Sequence, residues 1–163
     1  GHDRVQILDG GFRAWQAAGK PVEQGLGTPP ERRQFEAHPR SDDTVTAEDV
    51  QRGGLHLLDA RAPERWRGDV EPLDPKPGRI PGSINAPATE NLRELRFRSP
   101  DELRAYYESL GILDGRPIAA SCGSGVSACV DLVGLELAGI GGAKLYPGSY
   151  SEWLAKGLPV DQG

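Results

Sequence analysis

The chain has 163 residues and a net charge of −5; 26% of its residues are charged and 37% are hydrophobic, which suits a globular domain with an ordinary core. Acidic and basic residues are interspersed, and this argues against nucleic acid as the main partner. The sequence contains neither an apolar run of membrane-spanning length nor a secretory signal, so we expect no membrane partner.

The first segment of the chain resembles its last one. Residues 7–22 align without gaps on residues 145–160, an offset of 138, and both stretches share a glycine, a tryptophan and a Gly-x-Pro-Val ending. Each copy predicts a strand, a glycine turn and a short helix, with the first strand at residues 5–8. We therefore expect residues 1–25 to close a first domain whose remainder would lie upstream, and residues 44–163 to form a complete second domain.

Residues 26–43 are rich in charge, proline and glycine and show no periodicity, which predicts an interdomain linker. Thr46 is expected to cap a short helix, and residues 55–59 are typical of a buried parallel strand. Ser99 and Pro100 predict the start of a further helix, which Gly111 ends. Residues 84–86 and 144–146 predict short strands.

A long loop rich in proline is predicted between these elements, over residues 61–82. A loop of this length in a compact domain is usually functional or disordered. It carries five cationic side chains: Arg61, Arg65, Arg67, Lys76 and Arg79. Carboxylates in the same stretch could pair with each cation, so the loop alone leaves open both a solvated surface and an anion-binding site.

The stretch from residue 117 to residue 137 predicts a strand, a tight turn and a helix. The turn holds Cys122 followed by Gly123-Ser124-Gly125, and the predicted apolar face of the helix consists of Val126, Cys129, Val130, Val133 and Leu137. Unpaired N–H groups and the helix dipole favour negative charge at a helix start, so a thiol there should ionise more easily than a free one. A cysteine that only packs in the core is the alternative, but such a residue does not require two glycines beside it.

Cys122 and Cys129 stand seven positions apart on what the pattern predicts to be one helix, which excludes a disulfide between them. A reducing, cytoplasmic setting is the simplest interpretation of this cysteine usage.

Strands that alternate with helices predict an α/β fold with a parallel sheet covered by helices on both faces. Ligands of such sheets bind at the carboxyl ends of strands. Cys122 and Arg61 both follow a predicted strand, so we expect them at the same edge of the sheet.

Several motifs together resemble the rhodanese family of sulfurtransferases, in its two-domain form related to thiosulfate and 3-mercaptopyruvate sulfurtransferases. The matching stretches are Asp59-Ala60-Arg61, Arg65 with Gly68, Ile80-Pro81-Gly82-Ser83-Ile84-Asn85-Ala86-Pro87, Cys122-Gly123-Ser124-Gly125-Val126-Ser127-Ala128, and Leu145-Tyr146 through Gly148 to Trp153. The resemblance implies a three-layer rhodanese-like sandwich and a catalytic domain at residues 44–163.

The resemblance also implies the chemistry. Cys122 would take the outer sulfur of a donor, carry it as a persulfide held by the N–H groups of residues 123–127 (Gly123, Ser124, Gly125, Val126, Ser127), and pass it to cyanide or a thiol. Arg65, together with Arg61, would hold the carboxylate of a donor. No metal or organic cofactor is required.

The donor stays open between 3-mercaptopyruvate and thiosulfate. The uncharged Gly123 and Ser124 resemble the mercaptopyruvate type, whereas Leu73, Arg79 and Ser127 depart from its pattern. Two other classes of protein are alternatives to a sulfurtransferase. A cysteine phosphatase would need an arginine at position 128, which is Ala128, and a catalytically silent rhodanese-like binding module often lacks the cysteine that this chain keeps.

Overall fold

A four-stranded parallel sheet forms the centre of the chain in the computed structural model, which describes residues 5–32, 34–38, 40 and 42–163. The strands are β1 (His56–Asp59), β2 (Ile84–Asn85), β3 (Leu92–Arg93), β4 (Arg96–Phe97), β5 (Ile118–Ser121) and β6 (Lys144–Leu145). The sheet has the order β2-β1-β5-β6, and β3 and β4 form a separate antiparallel pair. Residues 1–4 of the predicted first-domain segment and residues 33, 39 and 41 of the predicted linker lie outside the described residues.

Helices cover both faces of this sheet. The helices of the described residues are α1 (Gly11–Ala17), α2 (Ala47–Arg52), α3 (Pro63–Arg67), α4 (Pro100–Ser109), α5 (Ala128–Leu137) and α6 (Ser149–Ala155), with a 3₁₀ helix at Ala88–Asn91, and α1 packs on neither face of the sheet. Leu58 and Ala120 pack on one face with α4 and α5, while Leu57 and Ala119 pack on the other with α2 and α6. Neighbouring strand residues thus point to opposite sides, and the predicted three-layer α/β sandwich is confirmed.

The helix starts predicted from capping residues are confirmed. The Thr46 hydroxyl accepts a hydrogen bond from the Asp49 N–H, and the Asp49 carboxylate accepts one from the Thr46 N–H. Ser99 and Glu102 form the same reciprocal pair at the start of α4. Each arrangement satisfies amides that a helix cannot pair internally.

Two predictions about local structure are wrong. Residues 61–82 are not loop throughout, because α3 begins at Pro63, whose fixed φ suits a first helical position. Residues 5–8 form no strand, although the equivalent residues of the second copy include β6. β6 pairs with β5, whereas no strand within the described residues pairs with residues 5–8.

The buried face of α5 also differs from the predicted one. Val126 precedes the helix and is exposed, Cys129 is exposed as well, and Cys122 lies outside the helix. The residues that α5 buries are Ala128, Asp131, Gly134 and Leu135. The periodicity of the apolar residues predicted the wrong buried face, because one of the buried positions is occupied by the carboxyl group of Asp131.

Asp131 is fully buried and is held by a side-chain network. The Asn91 amide donates to Asp131 Oδ1 over 2.7 Å, and the Tyr107 hydroxyl donates to Asn91 Oδ1 over 2.6 Å. Asp131 Oδ2 has no hydrogen-bond partner among the described residues. Burial raises the pKa of Asp131 to about 8, because the charged form loses its hydration, and the hydrogen bond from Asn91 offsets this only in part.

The contact between α5 and the 3₁₀ helix is unusually close at Gly134. A Cβ atom at this position would collide with Asn91 Oδ1 and would lie 2.7 Å from the Tyr107 hydroxyl oxygen. The missing side chain of Gly134 therefore lets the Asn91–Tyr107 pair reach the helix.

The internal repeat is visible in the backbone. Helices α1 and α6 have bounds that differ by the same offset of 138 as the sequences. The Trp15 indole N–H donates to the Pro21 carbonyl over 2.8 Å, and the Trp153 indole N–H donates to the Pro159 carbonyl over 2.6 Å. None of the described helices combines the length and apolar character that crossing a membrane would require.

Candidate functional site

The carboxyl ends of β1 and β5 bring the predicted site residues together. Asp59 of β1 lies beside Ser121 of β5 in parallel register, so the residues that follow them leave the sheet at one edge. A cavity of about 230 Å³ opens at this edge. Its lining includes Arg61, Arg65, Cys122, Gly123 and Ser127. The expected convergence of a thiol and cationic side chains is therefore present in the structure.

Cys122 both packs against the core and contributes to the cavity wall. Only 3% of its surface is exposed, and its neighbours include the apolar residues under α5. Its N–H donates to the Ser149 hydroxyl oxygen over 3.0 Å, and its carbonyl accepts from the Tyr150 N–H over 3.0 Å. The backbone of Cys122 is thus fixed on both sides, and the residue belongs to the lining of the cavity.

The loop after Cys122 carries a series of unpaired amides. The N–H groups of residues 123–127 donate to no backbone or side-chain acceptor in the part of the chain that the structure describes. Gly125 adopts a φ of 81°, and a Cβ atom there would lie 2.7 Å from the Pro147 carbonyl oxygen, so this position requires glycine. Consecutive free amides in a glycine turn are typical of anion sites.

The predicted loop residues do not all lie at the cavity. Gly123 and Ser127 belong to its lining, whereas Ser124, Gly125 and Val126 do not. Val126 is exposed to solvent. A role for these three residues in holding a sulfur anion would depend on their backbone N–H groups.

Arg61 is enclosed by oxygen acceptors. Its Nε and Nη2 donate to both carboxylate oxygens of Asp59, Nη2 also donates to the Gly78 carbonyl, and Nη1 reaches Glu71 Oε2 at 3.3 Å. Its guanidinium carbon lies 4.1 Å from the centre of the Tyr150 ring. Each guanidinium nitrogen of Arg61 thus donates to an acceptor within the protein. Arg61 is therefore better placed to stabilise the cavity wall than to bind a donor.

Arg65 is the more accessible of the two arginines, with 17% of its side chain exposed. Its Nη2 and Nε donate to Glu71 Oε1 and Oε2 at 2.5 and 3.2 Å, and Nη2 lies 3.5 Å from Asp74 Oδ2. Its Nη1 has no partner among the described residues. Arg65 can therefore offer N–H groups to an anion in the cavity without breaking its existing pairs.

Glu71 connects the two arginines. Burial opposes its ionisation, but hydrogen bonds from Arg65 and from the N–H groups of Leu73 and Asp74 outweigh this and lower the pKa of Glu71. Glu71 therefore stays charged and keeps Arg61 and Arg65 in place.

Sequence reasoning missed three consecutive residues that hold the site. Ser149 accepts from the Cys122 N–H, the Tyr150 hydroxyl donates to the Lys76 carbonyl over 2.9 Å, and the Ser151 hydroxyl donates to Asp74 Oδ1 over 2.6 Å. The equivalent residues of the first copy are Gly11, Phe12 and Arg13, which lack hydroxyl groups. Comparison of the two copies could have identified these positions, because the difference is consistent over three residues.

His56 belongs to the sheet and is not part of the cavity lining. His56 is buried in β1, and its Nε2 is 2.9 Å from Asp114 Oδ1. Within the described residues, the His, Cys, Asp and Glu side chains form no group of three that could hold a metal ion.

Comparisons with known proteins identify the relatives of this chain. The family model described as "Rhodanese-like domain" matches residues 43–156. A protein of Pseudomonas aeruginosa whose name assigns it to the 3-mercaptopyruvate sulfurtransferases is 43% identical over 162 residues, which cover 93% of this chain and 55% of that protein. A protein of Mycobacterium tuberculosis whose name assigns it to the thiosulfate sulfurtransferases is also 43% identical, over 98% of this chain and 58% of its own length.

Solved structures give the same result for the fold. The Escherichia coli protein SseA, described with its structure as a 3-mercaptopyruvate sulfotransferase, matches with a TM-score of 0.78 and 35% identity over 91% of this chain and 57% of its own. An anaerobic ergothioneine biosynthesis enzyme from Chlorobium limicola matches with a TM-score of 0.85 at 22% identity over 98% of this chain and 41% of its own, which is evidence of a shared fold alone. The chain spans a little over half the length of the curated relatives it matches.

Proposed function

Because this chain belongs to the rhodanese-like domain family, we propose that it is a sulfurtransferase that carries a sulfane sulfur as a persulfide on Cys122. The observation that carries the proposal is the position of Cys122, which borders a cavity with Arg65 and is followed by five amides that find no acceptor among the described residues. Such amides stabilise negative charge on sulfur without any rearrangement at the moment of reaction. The sulfurtransferase names of the relatives support the same chemistry.

In the first step, the Cys122 thiolate attacks the outer sulfur of the donor. A sulfur–sulfur bond forms on Cys122 and the bond between that sulfur and the rest of the donor breaks, with the electron pair leaving on the donor remnant. Thiosulfate releases sulfite, and 3-mercaptopyruvate releases the enolate of pyruvate, which then takes up a proton. Arg65 would hold the anionic part of either donor through Nη1.

In the second step, a thiol or cyanide attacks the outer sulfur of the persulfide. The new bond forms on the acceptor, the sulfur–sulfur bond to Cys122 breaks, and the thiolate of Cys122 is regenerated. The N–H groups after Cys122 would stabilise this thiolate as the leaving group, because unpaired amides in a glycine turn at a helix start favour negative charge.

Both donors remain candidates. The two relatives quoted with 43% identity carry names from different donor classes, so identity does not separate them. We also infer that the chain works beside an upstream rhodanese-like domain. The internal repeat and the partial coverage of the relatives support this arrangement.

The test of Cys122 is sulfur transfer to cyanide from each donor, together with mass spectrometry of the protein after donor is added alone. The wild-type chain should gain the mass of one sulfur atom on Cys122, and Cys122→Ser should lose both the mass gain and the turnover. Cys129→Ser is the matched control, because Cys129 is also a free thiol but lies on the exposed side of α5. Turnover that persists in Cys122→Ser would exclude the proposed persulfide. A folded wild-type chain that transfers no sulfur from either donor would favour the silent binding module.

The test of Arg65 is a comparison with Arg67, which forms an exposed pair with Asp69. Arg65→Ala should raise the donor KM by roughly 10- to 100-fold, because a charge-assisted hydrogen bond contributes about 1.5–3 kcal/mol. Arg67→Ala should leave the donor KM close to that of the wild type. Equal effects of the two substitutions would mean that Arg65 does not bind the donor.

A further inference from the structure

Asp74 lies beside Arg65 and beside the residue that follows Cys122. This inference rests on the proposed function and concerns the choice of donor. Asp74 Oδ2 is 3.5 Å from Arg65 Nη2, and a Cβ atom at Gly123 would lie 3.7 Å from the same nitrogen and 3.9 Å from the same oxygen. The carboxylate therefore adjoins the residue that follows Cys122.

The two oxygens of Asp74 have different surroundings. Oδ1 accepts the Ser151 hydroxyl over 2.6 Å, which fixes the orientation of the carboxylate. Oδ2 is buried and has no hydrogen-bond partner among the described residues. Its nearest cation among the described residues is Arg65, at 3.5 Å, and a buried carboxylate oxygen without a hydrogen bond is costly, which points to a use for it at this position.

The charges around Arg65 do not cancel. The connected cluster holds two guanidinium groups, of Arg61 and Arg65, and three carboxylates, of Asp59, Glu71 and Asp74, so its formal charge is −1. Glu71 lies between both arginines, and Asp59 pairs with Arg61. Asp74 makes the longest of these ion pairs, and its Oδ2 would lie 3.9 Å from a Cβ atom at Gly123, the residue after Cys122.

The lining of the cavity includes Arg65 but not Asp74, whose Oδ2 lies 3.5 Å from Arg65 Nη2, so an anion held by Arg65 would experience the charge of both side chains. The Coulomb energy scales with the product of the charges, so the repulsion by Asp74 is about twice as large for a dianion as for a monoanion. Thiosulfate is a dianion at neutral pH, whereas 3-mercaptopyruvate carries one carboxylate charge. We propose that Asp74, oriented by Ser151, is a specificity-determining residue that disfavours doubly charged donors relative to singly charged ones.

The test is the ratio of kcat/KM for thiosulfate to kcat/KM for 3-mercaptopyruvate, with cyanide as the acceptor. Asp74→Asn removes the charge, and its amide oxygen can still accept the Ser151 hydroxyl. This variant should raise kcat/KM for both donors, and it should shift the ratio about tenfold towards thiosulfate. Asp69→Asn is the matched control, because it removes an exposed carboxylate of the same loop region and should leave the ratio unchanged. An unchanged ratio in Asp74→Asn, or an equal gain for both donors, would overturn the inference.

A binding measurement separates this inference from the proposed function. Calorimetric titration of the chain with sulfate, a dianion, and with pyruvate, a monoanion, requires no sulfur transfer. Asp74→Asn should strengthen the binding of sulfate more than that of pyruvate, even if neither donor turns over. Equal effects on the two anions would overturn the role of Asp74, while absent turnover with a selective gain in sulfate binding would overturn only the sulfurtransferase proposal. Asp74→Ala serves as a second variant if the Asn variant does not fold, and the same selective gain is expected of it.

Discussion

Helices α1 and α6 begin and end at equivalent positions of the internal repeat, yet their side chains have opposite surroundings. Trp15 is 37% exposed and Phe12 is 59% exposed, whereas Trp153 is 3% exposed and Tyr150 is fully buried. Both tryptophans make the same hydrogen bond to a proline carbonyl. The local sequence therefore determines the turn, the helix and this hydrogen bond, while burial depends on the sheet on which α6 packs.

The two copies also differ in what they contribute to the site. The second copy supplies Ser149, Tyr150 and Ser151, whose hydroxyls contact the Cys122 N–H, the Lys76 carbonyl and Asp74. The first copy has no hydroxyl at these positions. The same strand-turn-helix segment therefore supports the site only in the second copy.

Among the single substitutions, the largest expected loss of stability at neutral pH comes from removing the tryptophan that the two copies share. Trp153→Ala should lower the free energy of unfolding by about 3–5 kcal/mol, because it removes a buried aromatic side chain and leaves a cavity. Trp15→Ala should cost about 1 kcal/mol, since it removes mainly one hydrogen bond. Urea unfolding followed by far-UV circular dichroism measures both values. Similar losses in the two variants would mean that the first copy is as well packed as the second.

The stability of the chain should depend on pH through Asp131 of the second domain and not through a carboxylate of the first copy. The pKa of Asp131 is raised from 3.8 to about 8 by burial, so the folded chain binds this proton more tightly than the unfolded chain. The stabilisation is present at low pH and is lost as pH rises towards 8, by about 1.4 kcal/mol per pH unit. Asp131→Asn should remove this decline, whereas Asp9→Asn, an exposed carboxylate of the first copy, should retain it. Unfolding midpoints in urea at several pH values test this, and a decline that persists in Asp131→Asn would contradict it.

The smallest expected effect concerns the first helical residue of each copy. Ser149 has a φ of 52° where the first copy has Gly11 with a φ of 59°. Ser149→Ala keeps this unfavourable backbone and leaves the buried Cys122 N–H without an acceptor, so it should destabilise by about 1–3 kcal/mol. Ser149→Gly should cost about 1 kcal/mol less, because glycine relieves the left-handed backbone. Gly11→Ala is the control, since it adds the strain without removing a hydrogen bond, and thermal unfolding ranks the three variants. An equal loss in the two Ser149 variants would mean that the backbone at this position is not strained.

The sequence alone was sufficient to predict the elements that are determined by residues close to one another in the chain. Thr46 and Ser99 start helices through their own hydroxyls, and the apolar runs of β1 and β5 lead directly to Arg61 and Cys122. These features require no information from distant parts of the chain, which is why the α/β sandwich and the meeting of the two strand ends could be predicted.

The features that escaped prediction depend on distant partners. Asp131 can occupy a buried face because Asn91 donates to it from another element, and the periodicity of α5 contains no sign of this. Arg61 donates to Glu71 and to the Gly78 carbonyl, which lie 10 and 17 positions further along the chain, and its place after β1 does not reveal them. A buried charge network is a property of the assembled fold, so its members cannot be identified from spacing alone.

The close approach at Gly134 has a consequence for protein engineering. Replacing a glycine inside a helix by alanine usually increases stability by about 0.5–1 kcal/mol, and stabilising screens often begin with such positions. At Gly134 the added methyl group would occupy space already filled by Asn91 and Tyr107, so the same change should loosen the helix from its neighbours. A library designed on helix propensity alone would therefore select its first substitution at a position where a single methyl group is too large.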